Sequence, residues 1–262
     1  MNESRFQTSD ENGSIKNEVR NAATLRHIFD NLTSENEAEQ VNMRKFIGAY
    51  YDKGEVVTDM ERSEAEAKKY NDILKDTLRE TVFLLGQKFN WFGKDANTGQ
   101  TSKYDQKLNG VDLVIVYDDG EEIPLALNLI VDSANDKPLT RANEPLSIKY
   151  YQSPIDPEKH CAIDTALATV NFSKEDANEL IVMVNDLITF KNKGFSKETD
   201  ESNIKQMEGD IDSHPLRNKI IEEILSQLDN HTERTEKHSV INKEKINFLR
   251  EKLVQALNEN RK

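Results

Sequence analysis

A single cysteine, Cys161, stands among the 262 residues. That excludes an internal disulfide framework and any Cys-rich metal site, and it fits a reducing compartment. Long apolar runs are missing as well. Val111 to Val116 and Leu125 to Val131 are the most obvious ones, and both fall far short of the ~20 residues that span a bilayer. Met1 to Ser14 is polar and acidic, without the basic start and apolar stretch of a secretory signal, so the expectation is a cytoplasmic chain with no membrane partner. The signatures of common enzymes are also absent: there is no Walker loop, no Gly-x-Gly-x-x-Gly after a strand, no His-Glu-x-x-His and no Gly-x-Ser-x-Gly elbow.

What is present in excess is charge. Charged residues make up 32% of the chain against 36% apolar, so much of it must be solvated surface. With 35 Lys+Arg and 48 Asp+Glu the net charge is −13, which repels polyanions at long range while leaving room for a local basic cleft. Residues 214–262 alone escape the acidity, holding 10 basic and 8 acidic residues against 25 and 40 in the rest.

Periodicity divides the chain further. Residues 1–14 read as a disordered leader, and 15–57 as a helical arm in which Ile15, Val19, Ile28, Phe29 and Leu32 recur at helical spacing. Residues 58–191 read as the α+β core. Its long helix over 59–92 opens on a Thr58/Glu61 capping box and carries the stripe Ile73, Leu74, Leu78, Val82, Leu85 and Phe89. Lys94 to Gln100 reads as a loop. Asp112 to Tyr117 and Ile123 to Val131 form a hairpin about Asp118-Asp119-Gly120, and their nearly unbroken apolar runs suggest strands covered by helices on both faces. Ser147 to Tyr151 and His160 to Val170 add two strands, for a small mixed sheet of about four. A helix opens at Ser173, 192–213 reads as a polar linker with room for a short helix near Ile204, and helices over 215–230 and 241–258 make a C-terminal hairpin.

The residues with chemistry to offer are acids: Glu80 on the long helix, Asp105 before the hairpin, Asp112 at the start of one strand and Asp132 at the end of the next. Groupings of this kind hold Mg²⁺, which prefers carboxylate oxygens and can activate water while offsetting charge on a phosphate. The run Tyr104-Asp105, Asn109-Gly110-Val111-Asp112-Leu113-Val114, then Ala126-Leu127 through Val131-Asp132, resembles an uncharacterised family of small-genome, candidate-phyla bacteria. That family has an aspartate-bearing hairpin similar to the PD-(D/E)XK, restriction-endonuclease-like, fold. Ser147 to Tyr151 and His214-Pro215 to Leu228 extend the resemblance over roughly residues 60–257. It implies Asp112 and Asp132 as metal ligands, Glu80 as an auxiliary acid, Mg²⁺ as cofactor and nucleic-acid phosphodiester hydrolysis as the activity. The Lys expected two residues beyond the second acid is replaced by Ala134, which leaves Lys149 or Lys137 for its role.

Each residue also has a plainer reading. Asp112 can cap a turn and Asp132 can end a strand through local bonds, Glu80 can lie solvated on its helix, and Asp105 can be loop chemistry. Lys149 alternates with Ile148 and Tyr150 and would point away from them, as an edge-strand Lys does. Cys161 reads as an inert thiol, because its neighbour His160 faces the other side. Two functions follow: a Mg²⁺-dependent nuclease, or a catalytically inactive nuclease-like scaffold that binds a protein or nucleic-acid partner.

Overall fold

The computed structural model describes residues 27–32, 59–131, 146–156, 160–192, 198–234 and 243–259. The leader at 1–14, most of the arm at 15–57, Thr58 of the capping box, and Asp132, Ala134 and Lys137 lie outside them. The fold is α+β, with a five-stranded mixed sheet in the order β1-β2-β3-β5-β4. The strands are β1 (Asn97–Gln100), β2 (Leu113–Asp118), β3 (Glu122–Val131), β4 (Leu146–Gln152) and β5 (His160–Phe172). The helices are α1 (27–32), α2 (Asp59–Phe89), α3 (Lys174–Asn192), α4 (Glu198–Asp212), α5 (Pro215–Arg234) and α6 (Lys243–Glu259).

The hairpin forms where expected. β2 and β3 run antiparallel with Leu113 opposite Leu127 and Asp118 opposite Glu122. Gly120 takes a φ of 79°, a conformation that costs a residue without a side chain little, and its N–H bonds back to Asp118. Because side chains alternate, Leu113, Ile115, Tyr117, Leu125, Leu127 and Leu129 all enter the large core beneath the helices. The opposite face departs from expectation. Val114, Val116 and Ala126 pack there against Val111, Leu167, and Ile148 and Tyr151 of β4, so strand and loop residues cover it where helices were foreseen.

β1 replaces the expected loop. Nothing in Asn-Thr-Gly-Gln signals a strand, yet it pairs with β2 from Asn97 opposite Val116 to Gln100 opposite Leu113. α2 lies against it so closely that a Cβ on Gly86 would fall 2.1 Å from Thr98 Oγ1, which explains a helix-interior glycine that costs about 1 kcal/mol of propensity. α2 stops at Asn90, whose φ of 51° turns the chain out of the helix.

Ser173 caps α3 as foreseen, its Oγ accepting the Asp176 N–H at 2.9 Å. The stretch read as a linker carries the 15-residue α4, and its sparse stripe Ile204, Met207 and Ile211 packs on the core. Trp91 Nε1 donates to the Ile211 carbonyl, tying the end of α4 to the turn after α2. The same turn fixes the last two helices. Arg217, near the start of α5, donates to the carbonyls of Asn90 and Trp91, and Ala256, near the end of α6, abuts Gly93. The start of one helix therefore meets the end of the other, as in an antiparallel hairpin, with Ile220, Ile224 and Leu228 facing Ile246, Leu249 and Leu253 in the core.

Side chains close the open strand edges. Beyond its pairing with β4, β5 offers Thr169 to α5, where Gln227 Oε1 accepts the Thr169 N–H at 2.8 Å and Nε2 donates to the Thr169 carbonyl at 2.6 Å. One amide thus stands in for a missing strand. Glu223 takes the Asn171 N–H beside it, and Gln87 of α2 donates to the Thr98 carbonyl of β1. These bonds occupy backbone groups of Thr98, Thr169 and Asn171 that would otherwise be open to another strand.

Candidate functional site

The acids foreseen in the sequence divide between two places. The first is the end of the sheet where β1 finishes and β2 begins. Asp112 is 1% exposed. Its N–H donates to the Leu127 carbonyl, and its Oδ2 accepts the Leu129 N–H at 2.8 Å, so the side chain adds one rung to the β2–β3 ladder where the backbone of β2 no longer can. Two cations from successive turns of α2 meet the same carboxylate, Lys75 Nζ at 3.1 Å from Oδ2 and the buried Arg79 Nη1 at 3.7 Å from Oδ1. Arg79 also reaches Asp76 at 2.5 Å. Glu80 is buried rather than solvated, and its Oε2 accepts from Gln100 Nε2 at 2.6 Å. Gln100 lies opposite Leu113, the residue after Asp112, so Glu80 is tied through Gln100 to the same end of the sheet.

Of the two expected magnesium ligands, Asp132 lies outside the described residues and Asp112 is already engaged. Asp112 already accepts a backbone N–H and faces two cations, so a dication would have to displace Lys75 and approach Arg79. Among the described residues no three His, Cys, Asp or Glu side chains converge as a metal-binding group.

The second place is the outer edge of β4. Asp105, wholly buried, accepts from four donors: Lys149 N at 2.9 Å and Asn109 Nδ2 at 2.6 Å on Oδ1, and Ser102 Oγ at 2.7 Å and Tyr150 N at 3.1 Å on Oδ2. Lys149 and Tyr150 are the residues at which the β4–β5 register slips, between Ile148 opposite Ile163 and Tyr151 opposite Cys161. Asp105 therefore supplies the acceptors that a β-bulge takes away from the ladder. It sits in a short π-helical turn, Asp105–Asn109, closed by Gly110 at a φ of 64°.

The bulge corrects the expectation for Lys149. In a regular strand Lys149 and Tyr150 would face opposite sides, but here both meet Tyr104, the residue before the buried aspartate. The Tyr104 and Tyr150 rings stand edge to face at 5.2 Å, and Lys149 Nζ lies 5.3 Å from the Tyr104 ring centre. Tyr104 is 38% exposed, Tyr150 55% and the neighbouring Leu108 57%. Lys149 is thus placed with the tyrosines, and no bond joins it to Asp112 or Glu80 among the described contacts. Sequence reading missed this trio because only a bulge, invisible to periodicity, brings it together.

His214 stacks near Trp91 and approaches Glu179 at 3.3 Å. Burial, with Asp95 adding to it, pushes the Tyr117 phenol above its ordinary range, and its hydroxyl donates to the Phe92 carbonyl. Burial lowers Arg217, with Asp212 and Glu259 acting against the shift. Among the described residues no helix is long and apolar enough to cross a membrane. The sequence matches no family model, and neither the curated proteins nor the solved structures give a match to the chain.

Proposed function

We propose that the chain is a binding protein on a nuclease-like frame, with no hydrolytic activity of its own. The observation that carries this reading is the state of Asp112, whose carboxylate closes the β2–β3 ladder and neutralises Lys75 and Arg79. The absence of a Lys at Ala134 and the placing of Lys149 against Tyr104 support it. The likeness to a restriction-endonuclease-like core belongs to this proposal. It draws on the order of a long helix with Glu80, a short strand, an aspartate-bearing hairpin and a parallel β3–β5 pair. A cytoplasmic location, suggested by the lone Cys161, goes with it.

The second reading is Mg²⁺-dependent hydrolysis of nucleic acid, with Asp112 and Asp132 as ligands, Glu80 auxiliary and Lys149 positioning water. One observation favours it: Glu80 and Asp112 are both buried acids, and β3 finishes at Val131, immediately before Asp132. Titration of Mg²⁺ and Mn²⁺ by calorimetry, with a cleavage assay on the same samples, separates the two. The binding reading expects no cleavage, and Asp112→Asn to lower stability without changing ion uptake. Millimolar ion binding and cleavage in wild type, both lost in Asp112→Asn and Asp132→Asn, would establish the nuclease.

A further inference from the structure

Resting on the reading of the chain as a binding protein, we propose that Tyr104, Lys149 and Tyr150 form a platform for single-stranded nucleic acid, with rings for bases and lysines for phosphates. Three observations lead there. The first is cost. A wholly buried carboxylate with four donors, a π-helical turn and a break in strand register are all used to set two adjacent β4 side chains beside Tyr104. Where β5 runs on past β4, one amide, Gln227, is enough to close its open side.

The second is exposure. Two tyrosines and Leu108 stay in solvent although the chain has a large core that could take aromatic rings, and the clamp on the Lys149 and Tyr150 N–H groups holds Tyr150 in place before any ligand arrives. The third is charge. In a chain of net −13, residues 101–110 and 147–151 contain Lys103, Lys107 and Lys149 against Asp105, whose carboxylate is turned inward and used, and the exposed Asp164 of β5 opposite Ser147. The surface presented is locally positive and aromatic. Base faces are available for stacking only in single strands, and stacking tolerates any sequence. An acidic protein segment would meet the lysines but leave the ring faces without flat partners.

The test uses the full chain and fluorescein-labelled oligothymidylate and oligouridylate followed by anisotropy at low salt, without divalent ions. Wild type should bind. Tyr104→Ala with Tyr150→Ala should weaken binding by about tenfold per ring lost, while Tyr104→Phe with Tyr150→Phe keeps most of it because the rings remain. Lys149→Gln should reduce the slope of log K against log salt by about 1. Circular dichroism melts of each variant confirm that it is folded. Failure of wild type to bind, equal binding by the double alanine variant, or equal competition by duplex DNA or polyglutamate would overturn the assignment. Cleavage of the bound strand on adding Mg²⁺ would overturn the non-hydrolytic reading instead, and leave the platform standing.

Discussion

The Asp112 end and the β4 edge use the same device to opposite effect. In each, a buried carboxylate accepts backbone N–H groups that a sheet has left over. At Asp112 the other partners are cations, Lys75 and Arg79, and everything converges inward. At Asp105 the partners are neutral, two N–H groups, a hydroxyl and an amide, and the chain's cations and aromatics are turned outward. A buried acid by itself is therefore no mark of catalysis. What distinguishes a site is where the neighbouring side chains point.

The comparison can be broken most forcefully at Asp112. Asp112→Ala takes from buried Arg79 one of its two carboxylates, leaving Asp76 alone, and leaves the Leu129 N–H unmet, and should cost about 3–5 kcal/mol in urea unfolding, with oligonucleotide binding retained by the folded fraction. A near-neutral result would mean that the carboxylate is not committed to the fold and is free for chemistry. Asp105→Ala should cost less overall, about 2–3 kcal/mol, because its donors lie near the surface where water can replace the carboxylate. It should nevertheless abolish binding at the platform and speed amide exchange at Lys149 and Tyr150.

Smaller effects sharpen the contrast between edges. Gln227→Ala removes two bonds to Thr169 and should cost about 1–2 kcal/mol without touching binding. The raised Tyr117 gives a pH signature unrelated to either acid. Its folded pKa lies above its ordinary value of 10.0, so its contribution is intact below that value and falls as pH rises past it. Unfolding curves between neutral and strongly alkaline pH should show this decline in wild type, and Tyr117→Phe should flatten it. Lys149→Ala, whose exposed ammonium meets the ring and hydroxyl of Tyr104, should change stability by no more than about 0.5 kcal/mol.

The α+β class, α2, the β2–β3 hairpin, the cap at Ser173 and the two C-terminal helices were legible because each rests on local chemistry: a stripe at helical spacing, a turn that needs Gly120, a hydroxyl that caps N–H groups. β1 was not legible, because Asn97 to Gln100 is polar and becomes a strand only by lying against β2. α4 was understated because its three apolar positions give a helix only once the core is there to receive them. For the candidate site the sequence singled out Glu80, Asp105, Asp112 and Lys149 but assigned them partners by analogy with spacing alone.

By itself, then, the sequence determined which segments could be helix or strand, since propensity, periodicity and turn chemistry act over a few residues. The tertiary structure decided what the acids do. Asp112 and Asp105 lie seven residues apart and look alike in sequence, yet one meets Lys75 and Arg79 from a distant helix and the other meets β4 some 45 residues onward. Whether a carboxylate caps, pairs or catalyses depends on donors brought to it across such separations, and no local pattern records them.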